Sequence, residues 1–220
     1  MENTIEQNIK IRKSIDESYA AKGINYDEYR RLINAFIMIG KSTAKKDSEN
    51  LLEYSKLNVA RMNRLDKSIE IIPDLKEVIE QITTPQIWLV LTEGWCGDAA
   101  QIVPVFDKIA QLNSNIKLKF LLRDENPELM NWYLTNGKSR SIPKLITVDE
   151  NFEELFNWGP RPKVLQEMFY HMRANAIDMH TIKEEMHKWY TDDKTITTQK
   201  EILKLLKKTC CNCNVERKVA

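Results

Sequence analysis

Glycine and proline are scarce, with 6 and 7 copies in 220 residues, roughly half the combined ~12% usual in globular chains. So few turn formers exclude an all-β fold built on many hairpins and favour long elements with short connections. Neither sign of charge is in excess: 33 Lys and Arg face 32 Asp and Glu, for a net charge of +1. A nucleic-acid binder or a protein held on an anionic membrane needs a strongly basic surface, so neither class is expected. Nor does any apolar run approach the ~18 residues of a membrane span. The start, Met1-Glu2-Asn3-Thr4-Ile5-Glu6, is polar and acidic and lacks the basic and apolar stretches of a signal peptide. These absences lead to the expectation of a soluble, cytoplasmic protein. At this length a chain buries roughly 70–75% of its unfolded surface, enough for a core without disulfides.

Cysteine is also sparse, and unevenly placed. Cys96 stands alone in mid-chain, whereas Cys210, Cys211 and Cys213 crowd the tail. In a reducing compartment such thiols serve reactivity or metal binding rather than structural bridges.

Periodicity divides the chain into three parts. Residues 1–82 read as a helical extension. Tyr29, Leu32, Ile33, Phe36 and Ile39 recur at helical spacing up to Gly40. A second helix, about 48–66, would turn Leu51, Tyr54, Leu57 and Met62 inward, and a third would begin at Pro73. Residues 83–190 alternate strands and helices: strands at 87–91, 117–122, 143–148 and 154–158, and helices at 99–112, 126–135 and 163–190. Residues 191–220 hold a last helix, about 198–208, and the cysteine-rich tail. Alternation followed by a closing hairpin implies an α/β fold, a mixed sheet flanked by helices.

Cys96 follows a buried-type strand and precedes a helix, so its sulfur should lie at the positive end of a helix dipole among unpaired N–H groups. That setting favours thiolate, and can bring the pKa from ~8.5 toward 3.5–7.5. The alternative is a small buried hydrophobe, which is what most free cysteines are. Gly97 and Asp98 suit the turn into the helix, with Asp98 as a helix cap, although a carboxylate this close also opposes a thiolate. Glu93 reads as a solvated loop acid rather than a base, with a place near the sulfur left open. His171, His180 and His187 are nine and seven residues apart, which pairs none of them with the cysteine and suits exposed or capping roles.

Around Cys96 the sequence resembles the thioredoxin superfamily. Trp95-Cys96-Gly97 matches that family's Trp-Cys-Gly opening, and Pro104 stands where the active-site helix is kinked. Val105–Ala110 is similar to the rest of that helix, Arg123–Pro127 to the end of the next strand, Ser141-Ile142-Pro143 to the cis-proline loop, and Gly159 to a glycine of the last strand. The landmarks keep their order over residues 86–175. The resemblance implies a thioredoxin-like mixed sheet, Cys96 as attacking sulfur, Trp95 as a wall of the site, and a cis Pro143 that leaves the Ile142 backbone free for an extended substrate.

Two positions depart from the pattern. Ala99 stands where the second cysteine falls, and Val90 where an acid is usually buried. Both belong to the step in which the second thiol releases substrate. What remains is monothiol exchange: Cys96 takes up a protein disulfide or low-molecular-weight thiol partner, and an outside thiol resolves it. Cys210, Cys211 and Cys213 could supply that thiol or hold a soft metal, or the tail could be a plain reduced terminus. No fourth ligand lies near them in sequence, and zinc takes four. No metal or cofactor is expected. The other function open to this sequence is a redox-inactive binding module that holds a polypeptide in the cis-proline groove. Arg61, Arg64 and Lys67 on the second helix, with Arg140, Lys144 and Arg161 by the site loops, could form a cationic rim attractive to acidic thiols.

Overall fold

The computed structural model describes residues 15–216, with side chains through 209. Four helices come first: α1 (Glu17–Lys22), α2 (Tyr26–Met38), α3 (Glu49–Ser68) and α4 (Pro73–Glu80). Asn25 and Glu28 form a reciprocal capping box at the start of α2, and the Ser48 hydroxyl caps α3. Alternating elements follow: β1 (Gln86–Thr92), α5 (Gly97–Ala110), β2 (Ile116–Leu122), α6 (Pro127–Trp132), β3 (Lys144–Asp149) and β4 (Glu154–Trp158). Then come α7 (Lys163–Ala174), α8 (Met179–Asp193) and α9 (Ile196–Glu216).

The sheet order is β2-β1-β3-β4, with β1 parallel to β2 and antiparallel to β3. A parallel neighbour needs a crossover, which α5 provides. β1 is central and apolar on both faces: Trp88, Leu89, Val90 and Leu91 are all fully buried. Its register sets Thr92 opposite Leu122 of β2 and Leu91 opposite Lys144 of β3. The loops after β1 and β2 and the loop before β3 therefore meet at one sheet end. One apolar cluster runs from Ile15 through β1 and α5 to Leu206, so the early helices share the core of the sheet.

Three elements differ from the sequence reading. The helix expected over 163–190 is two, α7 and α8, broken where Ala176 adopts a positive φ of 54° and restarted by the Asp178 side chain, which accepts from His180 and Thr181 N–H. Leu57 is 52% exposed rather than inward, because α3 turns Ser55, Asn58, Met62 and Leu65 to the core. The last helix continues past Lys208 to Glu216. It includes the backbone of Cys210, Cys211 and Cys213, whose side chains lie outside those described.

Candidate active site: a covered cysteine at a helix N-terminus

Cys96 is the N-cap residue of α5, and its Sγ accepts from the Ala99 N–H at 3.5 Å. The same sulfur donates to the carbonyl of Ile142 at 3.3 Å, in the loop whose Ile142–Pro143 peptide is cis. Ile142 is 4% exposed, so its backbone is not left free for an extended chain. Gly159 packs behind this loop. Its φ is +116°, and a Cβ there would sit 2.3 Å from the Pro143 carbonyl oxygen, which leaves room for glycine alone.

Asp98 is not the helix cap. It accepts from the Arg161 guanidinium at 2.6 and 3.2 Å and from the Tyr190 hydroxyl at 2.7 Å. Arg161 packs over the Phe169 ring at 4.8 Å. The Asp98–Arg161 pair is 12% exposed on each side, so α5, the loop after β4 and α8 are locked together beside the sulfur.

Burial pushes the Cys96 thiol up to about 12, and the Asp98 carboxylate adds to the rise. The Ala99 N–H and Arg161 pull the other way and are outweighed. The sequence expectation of an activated thiolate is therefore corrected: the favourable helix N-terminus is present, but Cys96 is only 8% exposed and stays a thiol at neutral pH.

Two neighbouring groups escape a sequence reading. His187 lies over α5, with its Nε2 and Cε1 2.9 Å from where a Gly97 side chain would begin. Its Nδ1 is 3.4 Å from the Gln101 amide nitrogen. Burial lowers its pKa to about 4, helped by Arg61, so the ring is neutral. His171 and His180 are exposed. Glu93, expected in solvent, is fully buried beneath the loop. It accepts from the Thr43 hydroxyl and from the Asp124 N–H at 3.0 Å, and burial raises its pKa to about 7. Its backbone carbonyl also accepts from the Cys96 N–H at 3.1 Å.

A cavity of about 240 Å³ opens onto Cys96, walled by Trp95, Tyr54, Phe169, Met186, His187 and Tyr190. The Lys183 ammonium spans it, donating to the Tyr54 hydroxyl at 2.9 Å and lying 4.4 Å over that ring. Asn58 of α3 donates to the Gly94 carbonyl at 2.9 Å and pins the loop from the other side. Helices α3 and α8 thus roof the sulfur. Of the cationic rim read from sequence, Arg161 is held by Asp98 and Lys144 is buried with its Nζ on the Gly159 carbonyl at 3.1 Å. Arg61 donates to Asn58 at 2.7 Å.

Ala99 and Val90 are buried and apolar, 1% and 0% exposed, so no second thiol or acid lies at those positions of the core. Among the described residues no group of three or more His, Cys, Asp or Glu is placed to hold a metal ion. No helix of those residues is long and apolar enough to cross a membrane.

A solved structure of a protein of unknown function from Pseudomonas aeruginosa is similar in fold, with a TM-score of 0.58 and 18% identity over 87% of this chain and 96% of that one. An HIV epitope-scaffold is similar at a TM-score of 0.52 and 19% identity, over 84% of this chain and 98% of that one. No curated protein matches the sequence. The family model described as thioredoxin matches residues 44–179, which takes in the sheet, the Cys96 loop and α3 but stops at the first residue of α8. On that match the chain belongs to the thioredoxin family.

Proposed function

We propose that the protein is a monothiol disulfide oxidoreductase for low-molecular-weight disulfides, acting through Cys96 within the roofed cavity. The observation that carries this reading is the placement of the Cys96 sulfur in the wall of a cavity of about 240 Å³ that a small molecule fits and a polypeptide does not. With Ile142 buried and its carbonyl occupied by the thiol, neither a protein disulfide nor a polypeptide held in the cis-proline groove suits the site.

The exchange balances without a cofactor. Cys96 attacks one sulfur of R–S–S–R. A bond forms between the two sulfurs, the original S–S bond breaks, and the departing RS⁻ takes up the proton that Cys96 loses. A second small thiol then attacks the outer sulfur, is itself oxidised to a disulfide, and returns Cys96 to the thiol. Three features lower the cost of the transient negative charge on sulfur: the Ala99 N–H, the α5 dipole and Arg161.

Magnitudes decide what kind of catalyst this is. Relative to a free thiol near 8.5, a pKa of about 12 cuts the thiolate fraction at pH 7.5 by roughly 3,000-fold, while nucleophilicity recovers roughly 40-fold at a Brønsted slope of ~0.45. The resting site exchanges about 75-fold more slowly than a free thiol, so its asset is selectivity rather than speed. The same protonated thiol favours a second reading, in which the cavity holds a small ligand without exchange.

The test uses protein with Cys210, Cys211 and Cys213 replaced by serine, incubated with bis(hydroxyethyl) disulfide and followed by intact mass. The expected result is one mixed disulfide per chain, absent in Cys96→Ser and reversed by added thiol. No adduct in the folded protein overturns the exchange reading and leaves the silent ligand site.

A further inference from the structure

A second hollow lies on the other side of Trp95. It is an open cleft of about 500 Å³, lined by Lys45, Lys46, Arg123, Arg140 and one carboxylate, Asp124. Trp95 and Leu51 line both this cleft and the Cys96 cavity, so the two are neighbours across those side chains. In a chain whose charges nearly cancel, four cations to one acid in one cleft is a local excess rather than the background.

The cleft is held in shape by the protein itself. Arg123 lies 4.9 Å over the Trp95 ring, donates to Asp124 at 2.8 and 2.9 Å, and reaches the Arg140 carbonyl at 3.3 Å. The Lys45 backbone N–H donates to the other Asp124 oxygen at 3.3 Å, which ties the lysine loop to the cleft floor. Arg140 is steadied by Asn131 at 2.9 Å. Asp124 is thus taken up by Arg123. Among the described residues, Lys45, Lys46 and Arg140 have no carboxylate within ion-pair distance. The Trp95 indole N–H is likewise buried without a hydrogen-bond partner. Three unpaired cations in a cleft that shares Trp95 and Leu51 with the Cys96 cavity are complementary to an anion.

We propose that this cleft is a carboxylate-binding subsite, and that the disulfides taken up by Cys96 are acidic ones, with the sulfur in the roofed cavity and a carboxylate among Lys45, Lys46 and Arg140. This rests on the exchange reading above and adds a substrate class to it. The cleft acts on binding and encounter, not on the sulfur chemistry.

Three symmetrical disulfides of similar size separate the possibilities: dithiodipropionate with two negative charges, neutral bis(hydroxyethyl) disulfide, and cystamine with two positive charges. Their rates of adduct formation on Cys96, in protein with serine at 210, 211 and 213, are each divided by the rate on a free thiol. The acid is expected to react about 10-fold faster than the neutral reagent at low salt, and the amine most slowly. The preference shrinks as salt shortens the screening length. In the triple variant Lys45→Gln, Lys46→Gln, Arg140→Gln the acid-to-neutral ratio falls to about one. Equal ratios in the original protein, or a preference that survives the triple variant, overturn the subsite while leaving exchange at Cys96 intact. Failure of all three reagents to modify Cys96 overturns the exchange reading and this inference with it.

Discussion

Replacing Asp98 with asparagine keeps the shape of the side chain and one acceptor for Tyr190, but removes the negative charge that adds to the rise of the Cys96 thiol. It also leaves Arg161 as an uncompensated cation beside the sulfur. Like charges about 5 Å apart at an effective dielectric near 20 repel by about 3 kcal/mol, equivalent to about two in pKa. The Cys96 pKa should then fall from about 12 to roughly 10. At pH 8 the thiolate becomes about 100-fold more abundant and about 8-fold less nucleophilic, so alkylation by iodoacetamide quickens about 10-fold. Stability moves the opposite way: separating a largely buried ion pair costs about 3 kcal/mol. That loss could by itself expose the thiol through global unfolding, and the pH profile separates the two routes. Alkylation through the unfolded chain levels off above ~8.5, the pKa of a free thiol, whereas the native route keeps rising to about 10. An Asp98→Asn rate equal to or below that of the parent, or a profile that levels off near 8.5, refutes the electrostatic account of this site.

Other expectations follow from neighbouring contacts. Glu93 has a folded pKa of about 7 against 4.5 for an ordinary glutamate, so between those values the native state holds a proton that the unfolded state has lost. Its contribution to stability therefore falls as pH rises from about 4.5 to 7, by up to about 3 kcal/mol. Glu93→Gln should gain on the parent across that window in urea melts at stepped pH, and a flat difference would contradict its burial as an acid. His187, lowered to about 4, acts in reverse: stability present above about 6.5 is lost as pH falls toward 4, and His187→Asn should flatten that acid limb. Gly159→Ala adds a Cβ 2.3 Å from the Pro143 carbonyl oxygen at a φ of +116°. It should lose on the order of 3 kcal/mol or more, and near-normal melting would show that the loop can move aside. Tyr54→Ala removes one side of the Lys183 bridge over the cavity, and should speed modification of Cys96 by a bulky aromatic disulfide more than by a small aliphatic one.

What the sequence made legible was local. The apolar run of β1, the cysteine between strand and helix, and the Ser141-Ile142-Pro143 loop are each set by a few adjacent residues, and the structure puts them at one end of the sheet. The break between α7 and α8 also had a local signal, since Asp178 followed by Thr181 is a helix-cap pattern, but the periodicity on either side masked it. The charge balance at Cys96 was not legible. Asp98 is ion-paired with Arg161 and hydrogen-bonded by Tyr190, which stand 63 and 92 residues away, and Gln101 meets His187 across 86. Nothing in the spacing of those residues announces the contact. For the same reason Glu93 read as a loop acid, because its burial depends on Thr43, fifty residues earlier, folding over it. The helix N-terminus was read correctly as a source of stabilisation for a thiolate. The desolvation that outweighs it comes from a roof that only tertiary structure reveals.

On the function proposed above, Cys96 is a roofed thiol, open to small disulfides and closed to proteins. The most direct measurement compares two reactions of the same serine-substituted protein at equal disulfide concentration: adduct formation with bis(hydroxyethyl) disulfide, and reduction of insulin disulfides in the presence of a regenerating thiol. A Cys96-dependent adduct is expected with the first reagent, and no Cys96-dependent acceleration with insulin. Insulin reduction that depends on Cys96 would contradict it, because the sulfur would then have to stand clear of α3 and α8.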